Sequence, residues 1–233
     1  MDARGGDSAE RLNLSFYSDS PDNMIQNSQP RVLCVLVAGL VNVSLWPLAP
    51  VRGQQVTEVA GYTLADYAEQ IQSEDRVIRL RAARSLAPFG DAAGDLLLES
   101  LDHQDAAVRF IAAENLGRLG GDPLEEAVGR LCELAEDESS HAVRLAASFA
   151  LCRHGLDDMH LPFLIETLDY PERGMACTAA FLIGEIGPDA KAAQRALEKA
   201  FEANRPGARG GDYHLGGAAQ NALRKIRGVS PAG

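Results

Sequence analysis

Residues 105–120 read DAAVRFIAAENLGRLG, and this stretch decides the fold. With Val108 as position zero, Val108, Ala112, Leu116 and Leu119 occupy positions zero, four, eight and eleven. At a helical rotation of about 100° per residue they fall within one narrow arc, the buried stripe of a helix. Asp105, three residues ahead of Val108, offers a carboxylate to the first free N–H groups. Gly120 can adopt the left-handed turn that ends a helix.

The pattern recurs in Ile78–Gly90 (IRLRAARSLAPFG), Val143–Gly155 (VRLAASFALCRHG), Met175–Gly187 (MACTAAFLIGEIG) and Leu215–Arg227 (LGGAAQNALRKIR). Position four is always alanine (Ala82, Ala112, Ala147, Ala179, Ala219), which suggests close approach by a neighbouring helix. Position eight is always aliphatic (Leu86, Leu116, Leu151, Ile183, Leu223). The capping place holds Asp75, Asp105, Ser140 and Asp212, with Glu172 as the weak member. Successive units are 30, 35, 32 and 40 residues apart.

Each unit adds a second apolar helix, DLLLESL (95–101), AVGRLCELA (127–135), PFLIETL (162–168) or AQRALEKAF (193–201), and TLADYAEQIQ (63–72) caps the front. One short pair cannot bury its own stripe, so neighbouring pairs must stack. The fold class predicted is all-α, a right-handed superhelical solenoid of about five antiparallel helix pairs over 63–228. Residues 54–62 read as a linker and 229–233 as a disordered tail.

The pattern Asp-x-x-Val-Arg-x-x-Ala-Ala-x-x-Leu-Gly-x-x-Gly resembles HEAT repeats, and within them the short, phycobilisome-lyase-like branch. The resemblance implies a ladder between units in which Asp75, Asp105, Arg79, Arg109 and Arg144 are structural. Ala176 and Gly216 stand where the next arginines belong, so the ladder should stop there and leave a looser C-terminal end. The insertion ANRPGARGG (203–211) points the same way.

Catalytic branches of the resembled family include bilin lyases and iron-dependent deoxyhypusine hydroxylases, whose iron sits on His-Glu pairs. The five histidines here are followed by Gln104, Ala142, Gly155, Leu161 and Leu215, so that motif has no counterpart. Cys132, His141, Cys152, His154 and His160 gather in the third unit. Cys152 and His154 are two apart on one helix and face different ways, which disfavours both a metal site and a Cys–His nucleophile. GARGGD (207–212) lacks the Lys-Ser/Thr of a phosphate loop. No cofactor is implied, and the balance leans away from an enzyme.

The whole chain of 233 residues has a formal net charge of −11, which disfavours nucleic acid as a partner. Residues 54–187 hold 10 basic and 24 acidic groups, whereas 188–233 hold 8 and 4. Two surfaces stand out. Aligning the second helices places Glu99, Glu133, Glu166 and then Lys199 in register, on the face that lines the concave side in the resembled family. This carboxylate row is either a docking face for a basic protein or an ordinary solvated face. Positions two and six of the first helices hold Leu80, Phe110, Leu145, Phe149 and Phe181. These are either an outer apolar contact strip or side chains covered by a neighbour. An exposed strip predicts that Phe149→Ser and Phe181→Ser leave thermal stability almost unchanged.

Residues 1–31 are polar and read as a disordered leader or an over-extended start, with Met24 as the alternative first residue. Val32–Trp46 (VLCVLVAGLVNVSLW) is uncharged, follows Arg31 and precedes PLAPVRG, the order of a secretory signal. Segment 32–53 therefore reads as a signal peptide cleaved before Gln54 or as a retained membrane anchor. The functional expectation is a non-enzymatic scaffold, exported to a periplasmic or extracellular location, that binds a protein partner. Membrane contact comes only through an uncleaved anchor. A lyase or oxidoreductase-related subunit, a cytoplasmic location and any oligomeric state remain open.

Overall fold

The computed structural model describes residues 56–228. Segments 1–31 and 32–53 and the tail 229–233 lie outside them. Among the described residues no helix is long and apolar enough to cross a membrane.

Aspartate caps start three of the five first helices. Asp75 Oδ1 accepts from the Val77 N–H at 2.8 Å, Asp105 Oδ1 from Ala107 at 3.0 Å and Asp212 Oδ1 from His214 at 2.8 Å. The helices they open are α2 (Arg76–Arg84), α4 (Ala106–Leu119) and α10 (Tyr213–Ile226). Ser140 and Glu172 precede α6 (His141–Arg153) and α8 (Arg173–Ile186) without a side-chain cap bond. Glycines 90, 120, 155 and 187 all take positive φ, between 59° and 96°, as the closing turn requires.

The second helices are α3 (Gly94–Ser100), α5 (Gly121–Asp137), α7 (Asp157–Thr167) and α9 (Gln194–Asn204), behind the leading α1 (Leu64–Ile71). Each packs against the first helix that follows it: α1 on α2, α3 on α4, α5 on α6, α7 on α8 and α9 on α10. The first helices stack in series, and the shared interior lies between the pairs. Every position-four alanine is buried, and so are Leu86, Leu116, Leu151, Ile183 and Leu223. The described residues form an all-α, HEAT-like repeat solenoid, as the repeat predicts.

At the end of the stretch expected as a linker, residues 58–63 form a short hairpin. Glu58–Val59 (β1) pairs antiparallel with Tyr62–Thr63 (β2) through a two-residue turn at Ala60 and Gly61, both with positive φ. The Tyr67 hydroxyl donates to the Val59 carbonyl at 2.7 Å and ties this hairpin to α1. Thr63 and Asp66 then form a reciprocal capping box that opens the helix.

Position nine sets the spacing of the stack. At Gly117 a β-carbon would stand 2.7 Å from Phe149 Cε1 and 2.8 Å from Ala150 Cα. At Gly184 it would stand 3.0 Å from Ala222 Cα. The missing side chains let α6 lie close on α4 and α10 close on α8. The equivalent residue of α6 is Cys152, and there the contact with α8 is sparser.

Candidate functional site

The outer apolar strip is largely core. Leu145 and Phe149 are fully buried, with 0% exposure, while Leu80, Phe110 and Phe181 are half-buried. Gly117 explains Phe149, because the space without a β-carbon admits its ring edge. Helix α6 is in fact buried at every residue from Leu145 to Cys152, as a helix apolar on all sides must be. A polar strap crosses the outside. Arg118 of α4 pairs with Glu114 at 3.0 Å and reaches Glu185 of α8 at 3.5 Å. Glu185 also pairs with Lys225 of α10. Arg118 and Lys225 both lie over the Phe181 ring, at 5.2 and 5.7 Å from its centroid.

The carboxylate row is exposed. Glu99, Glu133 and Glu166 all face solvent, on α3, α5 and α7. Two cations of the second helices, Arg130 on α5 and Lys199 on α9, thread between the units. Arg130 pairs with Asp102 of the preceding unit at 2.7 Å and with Glu133 at 2.7 Å, and Lys199 pairs with Asp169 at 2.8 Å. Such exposed pairs contribute about 0–1 kcal/mol each and are screened by salt, so the acids stay available to a competing cation. Glu99 also borders a shallow hollow of about 340 Å³ with Gln72, Ser100, Asp102 and His103.

The arginine ladder has two full rungs. Arg79 Nη1 donates to the carbonyls of Ser73 and Glu74, at 2.8 Å each, and Nη2 to Asp105 Oδ2 at 3.0 Å. Arg76 Nε shares that oxygen at 3.2 Å. Arg109 Nη1 repeats the carbonyl contacts with His103 and Gln104. Its carboxylate, however, is Glu138, held through both oxygens at 2.9 Å. Glu138 also accepts from the Ser140 N–H at 2.9 Å; it takes the aspartate's place as the arginine's acceptor, while α6 starts without a side-chain cap. Sequence reasoning missed Glu138 because it looked for the acid at the capping place, two residues later. Burial pushes Asp105 and Glu138 up. For Asp105 the Ala107 N–H, Arg79 and Arg76 outweigh it, and for Glu138 Arg109 and the Ser140 N–H do, so both stay below their ordinary values. Asp75 caps its helix and takes no ladder arginine.

Arg144 departs from this arrangement. Its Nε donates to the Ala135 carbonyl at 3.3 Å, and its guanidinium lies 4.5 Å over the Phe163 ring. His141 stacks on Tyr170 at 4.2 Å, with its Nε2 3.1 Å from Thr167 Oγ1. At the C-terminal end Arg173 takes over toward Asp212 at 3.7 Å. Gly216 cannot be arginine: a β-carbon there would stand 2.5 Å from the Asn204 carbonyl oxygen.

Among the described residues no group of three or more His, Cys, Asp and Glu side chains converges as metal ligands do. Cys152 is buried and its thiol is pushed up to about 12 by desolvation and then by Asp157, which makes it a poor nucleophile. His154 is exposed at the end of α6. His160 is buried with Nε2 unpartnered.

Residues 64–152 match the family model for HEAT repeats. No curated protein matches the chain. One solved structure similar to it is the crystal structure of an engineered protein, 18% identical, with the alignment covering 72% of this chain and 80% of that one at a TM-score of 0.43.

Proposed function

We propose that the protein is a non-enzymatic scaffold whose second helices present a carboxylate face to a basic protein segment. HEAT repeats commonly mediate protein–protein contact, and the observation that carries the reading is the exposed row Glu99, Glu133 and Glu166. Apart from Val77 and Ile78 of α2 and Tyr213 of α10, the large apolar groups of the first helices are buried or half-buried, which favours the second helices as the face that meets a partner. Acidic faces of this kind steer basic partners and repel polyanions.

Binding of a lysine-rich peptide to the full chain, followed by calorimetry at two salt concentrations, tests the reading. The scaffold requires binding that weakens with salt and drops at least about fivefold in the Glu99→Gln/Glu133→Gln/Glu166→Gln variant, about 1 kcal/mol. Equal binding by the variant contradicts it. The repeat pattern at 105–120 supports placement in the phycobilisome-lyase-like branch. The uncharged run Val32–Trp46 supports an exported location, cleaved or anchored, and N-terminal sequencing of the cell-derived protein tests that.

A further inference from the structure

Arg79, Arg109 and Arg144 occupy the same position in three successive units, and the first two are completed by a carboxylate of the next unit. The third is not. Tyr170 stands five residues ahead of position zero in its unit, where the preceding unit has Glu138. Arg144 Nη1 and Nη2 therefore donate to no described residue, and neither is sealed from solvent.

The unused fork is nevertheless held in place. The Ala135 carbonyl fixes Nε, and Phe163 supports the guanidinium plane from beneath. Tyr170, 39% exposed, stacks on His141 beside it. Thr167 Oγ1 gives its own proton to the Phe163 carbonyl at 2.8 Å, so His141 Nε2 must be the donor in the 3.1 Å contact with that hydroxyl. The imidazole is thereby locked in orientation by Thr167 on one edge and Tyr170 on its face. An arginine held over an aromatic ring with both terminal nitrogens unused matches a carboxylate in bidentate geometry. The Arg109–Glu138 pair one unit earlier is also bidentate, at 2.9 Å, through Nε and Nη2; at Arg144 the Ala135 carbonyl takes Nε, which leaves Nη1 and Nη2 to meet the carboxylate end-on. Glu166 and Glu172 lie near His141 and oppose a second anion, so affinity must come from direct contact with the fork and not from the surrounding field.

We propose that Arg144, held by the Ala135 carbonyl and the Phe163 ring, is a docking point for an aspartate or glutamate side chain of a partner polypeptide, which completes the third rung in trans. This goes beyond the carboxylate-face reading and does not depend on it, since the contact is made by a first helix and has the opposite sign.

The test records the arginine Nε–H signals of the full chain by NMR during titration with a blocked glycine–alanine peptide carrying one glutamate. The signals of Arg144 and the rings of His141 and Tyr170 should move and saturate near about 1–10 mM, the range of a single charged contact. The glutamine version should bind at least about tenfold more weakly, and Arg109 should not move because Glu138 occupies it. Tyr170→Glu should place the carboxylate in cis, abolish the response and leave the unfolding midpoint equal or higher. The Glu99→Gln/Glu133→Gln variant, which leaves the charges around His141 intact, should respond like the wild type. An equal response to the glutamine peptide, an equal response to inorganic phosphate, or a full response in Tyr170→Glu would each overturn the proposal.

Discussion

Phe149 lies edge-on against Gly117, with its Cε1 2.7 Å from where a β-carbon of residue 117 would stand. The two residues are on adjacent first helices, and their fit draws α4 and α6 together at the middle of the stack. Gly117→Ala must therefore push the α6 backbone away, at about 1–3 kcal/mol. Phe149→Ala empties a fully buried aromatic site and should cost about 3–5 kcal/mol. Urea unfolding monitored by circular dichroism measures both. Phe181→Ser, on a half-buried ring under two cations, should cost less than half as much as the Phe149 change.

The ladder makes a prediction that separates its rungs. Glu138→Ala removes two charge-assisted bonds from Arg109 and one from the Ser140 N–H, and should lower stability by about 2 kcal/mol. Glu133→Ala removes one exposed pair and should change it by less than about 0.5 kcal/mol. Equal losses in the two variants would contradict the assignment of Glu138 to the ladder.

Stability should fall in two stages as pH drops. His141 is held below its ordinary value of 6.5 by desolvation and by Arg144, and His160 is lowered mainly by desolvation. The unfolded chain therefore binds these protons first, and stability present above about pH 6.5 is lost as pH falls through the lowered folded values. Asp105 and Glu138, also depressed when folded, contribute above the ordinary values of 3.8 and 4.5 and lose that contribution on further acidification. Thermal melts from pH 8 to pH 3 should show both declines, and Glu138→Gln should shrink only the lower one.

The repeat was legible because a buried helical stripe needs alanine and leucine at fixed spacing whatever surrounds it. Ala112, Ala147 and Ala179 announce the stack by themselves. Phe149 was not legible in the same way. Its position faces outward on a lone helix pair, and only the approach allowed by Gly117 turns it into core. Glu138 was hidden for a related reason: the longer glutamate reaches the same guanidinium from two residues earlier than aspartate could. The hairpin at 58–63 is too short for alternation to reveal it, although Ala60-Gly61 is the turn it needs. Of the surface, the carboxylate row was visible from alignment of the second helices, whereas the open fork of Arg144 needed the filled rungs beside it for comparison.

The C-terminal end should open before the centre. Among the described residues α10 packs on one other first helix, α8, and the half-buried Phe201 and the buried Leu223 border a groove of about 450 Å³ between α9 and α10. Limited proteolysis should cut first within 203–211, between these helices, and leave a core ending near residue 202.

Native-state hydrogen exchange across the first helices tests the shared interior most directly. If neighbouring pairs supply one another's core, the amides of α6 must be the slowest to exchange, with an opening free energy equal to that of global unfolding. Those of α2 and α10 must exchange faster. Exchange in α6 as fast as in α10, or through independent openings of single pairs, would contradict the account.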